Sequence, residues 1–90
     1  MSITILDDNT DVITSLDDLK KRAEVNPVKA AILLAGGLAF SRKTIVRLRN
    51  GKWRVKNHID DTSQLLTDEE LWTESNIGEA IDKGALVVMP

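Results

Sequence analysis

The residues best suited to bind a small molecule lie in and just beyond the middle of the chain. Guanidinium and ammonium groups bind phosphate oxygens, aromatic rings stack on bases, and amides and carboxylates recognise hydroxyl groups. All of these groups occur within residues 40–61, and Asn76, at the start of a later helix, could join them. The candidate ligand-binding residues are Phe40, Arg42, Lys43, Asn57, Asp60, Asp61 and Asn76.

A block of positive charge forms a second group of candidate residues. Seven of the twelve basic residues lie between Ser41 and His58, a stretch without an acid, although the chain has a formal net charge of −2. A basic block between acidic flanks indicates one localised contact with an anion rather than general binding to nucleic acid. The candidate partner-binding face consists of Arg47, Arg49, Lys52, Arg54 and Lys56.

One β-hairpin is predicted to position both groups. Asn50-Gly51 stands between two alternating runs, and this dipeptide is the strongest short signal for a two-residue type I′ turn. A two-residue loop fixes which residues face each other across the hairpin. The predicted pairs are Arg49–Lys52, Leu48–Trp53, Arg47–Arg54, Val46–Val55, Ile45–Lys56, Thr44–Asn57, Lys43–His58 and Arg42–Ile59.

The predicted register places like charges directly opposite each other, which destabilises a sheet. Arg49 would face Lys52, and Arg47 would face Arg54. These pairs favour a compensating anion: a phosphate, a nucleic acid or an acidic protein surface. Two alternatives remain open. The charges could keep a solvated edge hairpin from aggregating, or they could pair with acidic helices of the same chain or of a neighbouring subunit.

The same register predicts that Arg42, Thr44 and Asn57 point inward at the open end of the hairpin. Polar groups at such positions require partners. They could bind a ligand, or they could form a rim of hydrogen bonds that closes the core. Asp60 and Asp61 could likewise be Asx-turn formers.

The sequence gives little support for a catalytic role. His58 is the only histidine, and the sequence places no hydroxyl or orienting group beside it. Asp60 and Asp61 are adjacent, so in an extended strand they would point to opposite sides. We therefore expect a protein that is not an enzyme and that uses no cofactor and no metal.

The remaining capping, turn and strand signals predict an α+β fold in a single domain, residues 1–90. A small antiparallel sheet centred on the hairpin is expected with one N-terminal helix and two short C-terminal helices. Neither cysteines nor an apolar run of the roughly 20 residues that span a bilayer is present, and the start is acidic, which favours a cytoplasmic location. The sequence predicts strands at Ser2–Leu6, Ala30–Ala35 and Ala85–Met89. Helix caps are predicted at Ser15, at Thr67 and at either Ser75 or Asn76, and helix ends before Pro27 and at Gly84.

About half of the chain resembles small proteins of phages and prophages. The similar stretches are Ser41–Ile45, Asn50–Trp53, Asn57–Thr62, Leu66–Leu71 and Ser75–Ile81. Among phage proteins of known role, the sequence looks most like the Thoeris anti-defence family. The resemblance implies an antiparallel sheet followed by two C-terminal helices, assembly into dimers or larger oligomers, and sequestration of a cyclic ADP-ribose-type immune signal. It carries over no ligand contact by position.

Three hypotheses follow for function. The first is a phage-encoded sponge, a homo-oligomer in the infected or lysogenic host cell, that holds a small phosphorylated nucleotide without catalysis. Arg42 and Lys43 would hold phosphates, Phe40 would stack, and Asn57 with Asp60 or Asp61 would recognise hydroxyls. The second is a protein–protein inhibitor of a host defence system, of the anti-CRISPR or anti-restriction type, that uses the basic hairpin. The third is phosphate binding on nucleic acid, which the acidic flanks disfavour.

Overall fold

In the computed structural model, the described residues form three helices that pack on one face of a five-stranded antiparallel sheet. The structure describes residues 11–33 and 39–89, without the side chains of Ala39 and Phe40. The helices are α1 (Leu16–Val25), α2 (Asp68–Thr73) and α3 (Ile77–Asp82). The strands are β1 (Val28–Leu33), β2 (Ala39–Arg47), β3 (Trp53–Asn57), β4 (Thr62–Leu66) and β5 (Leu86–Val88), in the spatial order β4-β3-β2-β1-β5. The predicted fold class is confirmed.

The first helix begins and ends where its sequence predicts. The Ser15 hydroxyl accepts a hydrogen bond from the Asp18 amide at 3.0 Å, which satisfies one of the unpaired N–H groups at the helix start. The helix ends at Val25, two residues before Pro27. Its apolar stripe then packs on the sheet through Leu19 and Ala23.

The C-terminal helices also begin at predicted positions, and the first of them has the predicted cap hydrogen bonds. Thr67 and Glu70 form the predicted capping box, with amide-to-side-chain hydrogen bonds of 3.0 and 3.2 Å. Asn76 occupies the N-cap position of α3 with a left-handed φ of 64°, and its side chain makes no capping bond. Gly84 follows α3 with a φ of 66°, a conformation that glycine adopts without strain.

The hairpin register differs by one residue from the prediction. Ile45 pairs with Val55, and Arg47 pairs with Trp53, so the connecting loop has three residues, Arg49–Gly51. The Gly51 amide donates to the Leu48 carbonyl at 3.1 Å, and only Gly51 of these loop residues has a positive φ. The loop is therefore a type I turn followed by a left-handed glycine rather than a type I′ turn.

The shift reverses the predicted faces of β2 only, because a one-residue slip moves every side chain of one strand to the other face. Trp53, Val55 and Asn57 of β3 keep the inward position that was predicted for them. Ile45, Trp53 and Val55 face the helices and are buried. Arg42 and Thr44, predicted to point inward, lie on the opposite face, in register with His58 and Lys56 respectively. The face that the helices cover is called the inner face below, and the opposite face the outer face.

The predicted like-charge pairs are wrong for the same reason. Arg47 lies opposite Trp53, and its guanidinium carbon is 4.7 Å from the centre of the indole ring. Arg54 lies opposite the apolar Val46 on one side and Leu65 on the other. The hairpin therefore carries no pair of directly opposed cations that would require an anion between them.

Strand β4 has no counterpart in the sequence prediction. Its residues, Thr62–Leu66, are exposed apart from Leu66, so the segment lacks the alternation that marks a half-buried strand. The turn before β4 is built by Asp60, whose carboxylate accepts from the Thr62 amide at 3.1 Å and from its hydroxyl at 2.6 Å. Asp61 completes the turn with a φ of 58°.

The core lies between the inner face and the three helices. Trp53, Leu19, Leu71 and Ile77 are fully buried there. A smaller apolar cluster of Ala31, Leu33 and Val87, with Val12, Ala85 and Met89 beside it, lies where β1 pairs with β5. Of the helices described, none has the length and apolar character needed to cross a membrane. The predicted strand at Ser2–Leu6 lies outside the described residues.

Candidate ligand-binding cleft

A cleft of about 420 Å³ separates α3 from the open end of the hairpin. That volume falls within the range of about 300–1,000 Å³ that is usual for small-molecule sites. The sheet forms one wall, α3 and the residues that flank it form the other, and the β3–β4 turn closes one side. The lining residues are Ile32, Leu33, Ser41, Lys43, Asn57, Ile59, Ser75, Asn76, Glu79, Ala80, Lys83 and Ala85.

Lys43 is the cation that the sheet itself directs into the cleft. It lies on the inner face with Ile45, two residues further along β2, and pairs with Asn57 across the hairpin. Burial lowers the pKa of the Lys43 ammonium, and the negative charge of Asp60 acts in the opposite direction. A partly desolvated ammonium interacts more strongly with an anion than one in bulk water does, because the local dielectric screening is weaker.

Two amide side chains line the cleft beside this lysine. The side-chain oxygen of Asn57, Oδ1, accepts a hydrogen bond from the Ile59 backbone amide at 2.9 Å. The NH₂ group of the same side chain, which lines the cleft, therefore remains able to donate. Asn76 is exposed, and its side chain is not used as a helix cap. Both amides belong to the predicted ligand-binding set, and among the members whose side chains the structure describes, they and Lys43 are brought to one cavity.

The wall formed by α3 adds a charged pair that is absent from the predicted ligand-binding set. Lys83 and Glu79, one helical turn apart, form a salt bridge of 2.7 Å and both line the cleft. The i, i+4 spacing in the sequence could have predicted their contact. Nothing local in the sequence indicates that this side of α3 faces Lys43.

An apolar surface completes the cleft. Ile59 in the β3–β4 turn is 67% exposed, one of the largest exposures among the described large apolar side chains, and it lies at the cleft with Ile32 and Ala80. Small-molecule sites typically combine such apolar walls with a few directed polar groups. The cleft can therefore accommodate a ligand that has both an anionic group and a flat or apolar group.

Three other members of the predicted set, Arg42, Asp60 and Asp61, are not among the residues that line the cleft. Arg42 is exposed on the outer face, across the sheet from Lys43. Asp60 is exposed and accepts from Thr62, and these hydrogen bonds lower the pKa of its carboxyl group. Asp61 forms a salt bridge of 3.2 Å with Lys56. Phe40 belongs to β2, but its side chain lies outside the described part of the chain.

The candidate partner-binding residues divide among three places. Lys52, Arg54 and Lys56 are exposed on the outer face, which therefore remains basic. Arg49 is exposed in the hairpin loop. Arg47 differs from the rest, because it lies on the inner face and forms an ion pair of 2.5 Å with Asp68.

Asp68, which the sequence reading treated only as part of a helix start, connects three elements. Its carboxylate accepts from the Trp53 indole N–H at 2.7 Å and pairs with Arg47 of β2 and, at 3.2 Å, with Lys20 of α1. The indole hydrogen bond, followed by those from Arg47 and Lys20, lowers the pKa of Asp68 to about 2. This network fastens α2 over the turn end of the hairpin.

Among the described residues, the polar groups that line the cleft are two lysines, one glutamate, two amides and two serine hydroxyls, which can bind charged or hydroxyl-bearing ligand groups. The histidine lies on the other face of the sheet. His58 Nε2 is 2.7 Å from the Thr44 hydroxyl on that outer face. Within residues 11–33 and 39–89, no three histidine or acidic side chains converge as a metal site.

Comparison of this chain with protein-family models, with curated proteins and with solved structures gave no match.

Proposed function

We propose that this protein binds and sequesters a small phosphorylated nucleotide in the cleft between α3 and the open end of the hairpin. The observation that carries the proposal is Lys43, a partly buried lysine directed into a cavity of about 420 Å³ whose other walls supply amides and apolar surface. The phosphate would lie against Lys43 and Lys83, Asn57 and Asn76 would donate to hydroxyl or base oxygens, and the base would pack on Ile59.

The resemblance of the sequence to Thoeris anti-defence proteins supports a particular ligand class. On that basis the ligand is a cyclic ADP-ribose-type signal and the protein is a phage-encoded sponge that acts in the cytoplasm of the infected or lysogenic cell. Binding without turnover is sufficient for this role, because sequestration lowers the free concentration of a signal.

The test is direct binding of cyclic ADP-ribose isomers and cyclic dinucleotides, followed by native mass spectrometry and calorimetry. We expect retention of one compound at one molecule per cleft. Lys43→Met keeps the length of the side chain but removes its charge, so affinity should fall about tenfold or more, the effect expected for losing one charge-assisted hydrogen bond.

Lys29→Met is the matched control, because Lys29 is an exposed lysine on the neighbouring strand β1 that lies on the outer face. It should bind as the unmodified chain does. A chain that retains none of the compounds, or equal loss of affinity in both variants, would refute the proposal.

A second candidate is inhibition of a host defence protein through the outer face. It is favoured by the cations that β2 and β3 collect there without a covering helix from the described chain: Arg42, Lys52, Arg54 and Lys56. Arg47 takes no part in this version, because it is paired with Asp68.

The two candidates can be separated in bacteria that carry a Thoeris, CRISPR or restriction system and are challenged with phage. If the outer face is the active surface, Arg54→Glu with Lys56→Glu should abolish protection of the phage and Lys43→Met should retain it. The nucleotide proposal predicts the reverse pattern.

A further inference from the structure

The two outermost strands of the sheet differ in how their free backbone groups are satisfied. At the β5 edge, the Ile13 amide donates to the Leu86 carbonyl at 2.9 Å and the Val88 amide donates to the Asp11 carbonyl at 2.8 Å. This edge is therefore closed by the segment that precedes α1. The other edge is β4.

The hydrogen-bond pattern identifies which groups of β4 point outward. The His58 amide donates to the Arg42 carbonyl and the Leu48 amide to the Lys52 carbonyl, so within the β2–β3 ladder the even-numbered residues of β3 bond towards β2. Trp53, Val55 and Asn57 must then bond towards β4. Their partners there are Leu66, Gln64 and Thr62.

The two remaining residues of β4, Ser63 and Leu65, direct their N–H and C=O groups away from the sheet. Both are exposed, and Leu65 is 59% exposed, one of the highest values among the described large apolar residues. Among residues 11–33 and 39–89, no side-chain hydrogen bond or further strand reaches these groups.

The open edge also lacks the features that normally prevent strand addition. Natural edge strands carry a charge, a proline or a bulge that disfavours pairing with another chain. Thr62–Leu66 contains no charged residue and no proline, and its five residues pair with β3 without a register shift.

We propose that β4 is the dimerisation edge of this protein and that its partner is β4 of a second copy, paired antiparallel about a two-fold axis at Gln64. Ser63 of one copy then lies opposite Leu65 of the other, in both directions. This register satisfies two donors and two acceptors on each chain, and it leaves no outward group of either residue unpaired.

The side chains agree with the same register. The alternation of the strand places Ser63 and Leu65 on the outer face, where the two copies of Leu65 become diagonal neighbours about 7–8 Å apart at their backbones and cover each other. Gln64 meets its own copy on the axis, where two amide side chains can hydrogen bond. The directly opposed residues of the two strands carry no charge, so no like charges meet across the pair.

A single strand pair buries less surface than the roughly 1,200–2,000 Å² of a standard stable interface, so we expect a reversible dimer. The proposed dimer does not depend on the proposed ligand. The sheet residues that line the cleft belong to β1, β2 and β3, and none belongs to β4.

Cysteine cross-linking of the full chain tests the register, because the natural sequence contains no cysteine. On the two-fold axis, a non-hydrogen-bonded antiparallel pair has Cα atoms about 4.5 Å apart, within the range of a disulfide. Gln64→Cys should therefore oxidise to a covalent dimer. Thr62→Cys, on the same strand and face but displaced from the axis, should not.

Sedimentation equilibrium tests the backbone contact. Ser63→Pro removes the outward N–H without removing a bond to β3, and edge strands tolerate proline at such positions. The loss of two symmetry-related hydrogen bonds should raise the dimer dissociation constant about tenfold or more. Ser63→Ala, which keeps the N–H, should leave the dissociation constant unchanged.

The outcomes are decisive in both directions. If the unmodified chain sediments as a 10.0 kDa monomer up to millimolar concentration, or if Thr62→Cys cross-links as readily as Gln64→Cys, the proposal is wrong. If Ser63→Pro fails to fold, the cross-linking pair still decides the question. If the unmodified chain dimerises but binds none of the nucleotides tested, the proposed function alone is refuted.

Discussion

The part of β2 that pairs with β3 carries one basic residue at each end of its inner face, and these two residues have different surroundings. At the turn end, Arg47 stacks on Trp53 and pairs with Asp68. At the open end, Lys43 forms no salt bridge among the described residues, and it is partly buried at a cleft. Partial burial of a charge that forms no salt bridge lowers stability, and the nearby charge of Asp60 offsets only part of that cost. The first position therefore contributes to folding, and the second costs stability that binding could offset.

If this comparison is right, changes at the turn end should lower stability. Changes at the open end should affect binding and leave the free energy of unfolding nearly unchanged. The helices α2 and α3, which cover the two ends, meet where Trp72 packs against Gly78.

The largest effect is expected for Trp53→Ala. Trp53 is fully buried in the core, and truncating such a side chain costs about 3–5 kcal/mol of unfolding free energy. For a domain of 90 residues that is a large part of the total, about 5–15 kcal/mol in typical cases. Urea unfolding measures the loss. Trp53→Phe, which keeps a ring but removes the N–H to Asp68, should lose clearly less; equal losses would contradict this account.

The contact between α2 and α3 should be the next most sensitive position. A Cβ atom on Gly78 would lie 2.4 Å from the nearest atom of the Trp72 ring, closer than any real contact. Gly78→Ala should therefore force the two helices apart and cost about 1–3 kcal/mol, the usual range for overpacking. Thermal unfolding measures it. Trp72→Leu in the Gly78→Ala background makes room for the methyl group, and failure of this second change to recover any stability would count against the contact.

Asp68→Asn should have a smaller effect, about 1 kcal/mol, because the ion pairs are partly exposed and solvent screens them. The effect should depend on pH. The pKa of Asp68 is about 2 in the folded protein, against an ordinary value of 3.8. The carboxylate therefore contributes stability above about pH 4, and the contribution disappears as the pH falls towards 2.

Urea unfolding between pH 2 and pH 7 measures this dependence. The difference between the unmodified protein and Asp68→Asn should shrink as the pH falls. Glu69→Gln, a neighbouring change on α2 at an exposed residue, is the control and should show no comparable loss at pH 7. A pH-independent difference for Asp68→Asn would mean that the ion pairs do not contribute.

The smallest effect on stability is expected for Lys43→Met at the open end. Replacing a partly buried ammonium with an apolar side chain of similar length removes a desolvation cost, so the free energy of unfolding should stay within about 0.5 kcal/mol or rise. A loss of stability as large as that of Asp68→Asn would show that Lys43 has a structural role and would remove the contrast between the two ends.

The limits of local sequence information are clearest at the hairpin. Asn50-Gly51 correctly marked a turn, but the same dipeptide fits a two-residue loop and a three-residue loop that ends in a left-handed glycine. The choice between them is made by burial, since only the observed register turns Ile45, Val55 and Trp53 together towards the helices. The choice of register also decided which of two adjacent cations points inward: a two-residue loop would turn Arg42 towards the helices, whereas the observed loop turns Lys43 there. Of these two residues, only Lys43 lines the cleft.

The sequence by itself determined the fold class and the ends of the helices, because capping and turn residues act over three or four positions of the chain. Ser15, Thr67 with Glu70, and Gly84 are examples in which the local hydrogen bond or backbone angle is sufficient. Tertiary structure alone decided the strand register, the existence of β4 and which residues each charged side chain contacts. Asp68 pairs with Arg47, and Asn76 lines the same cleft as Lys43, only because elements distant in the sequence pack on one sheet. No short-range signal in the sequence encodes such packing.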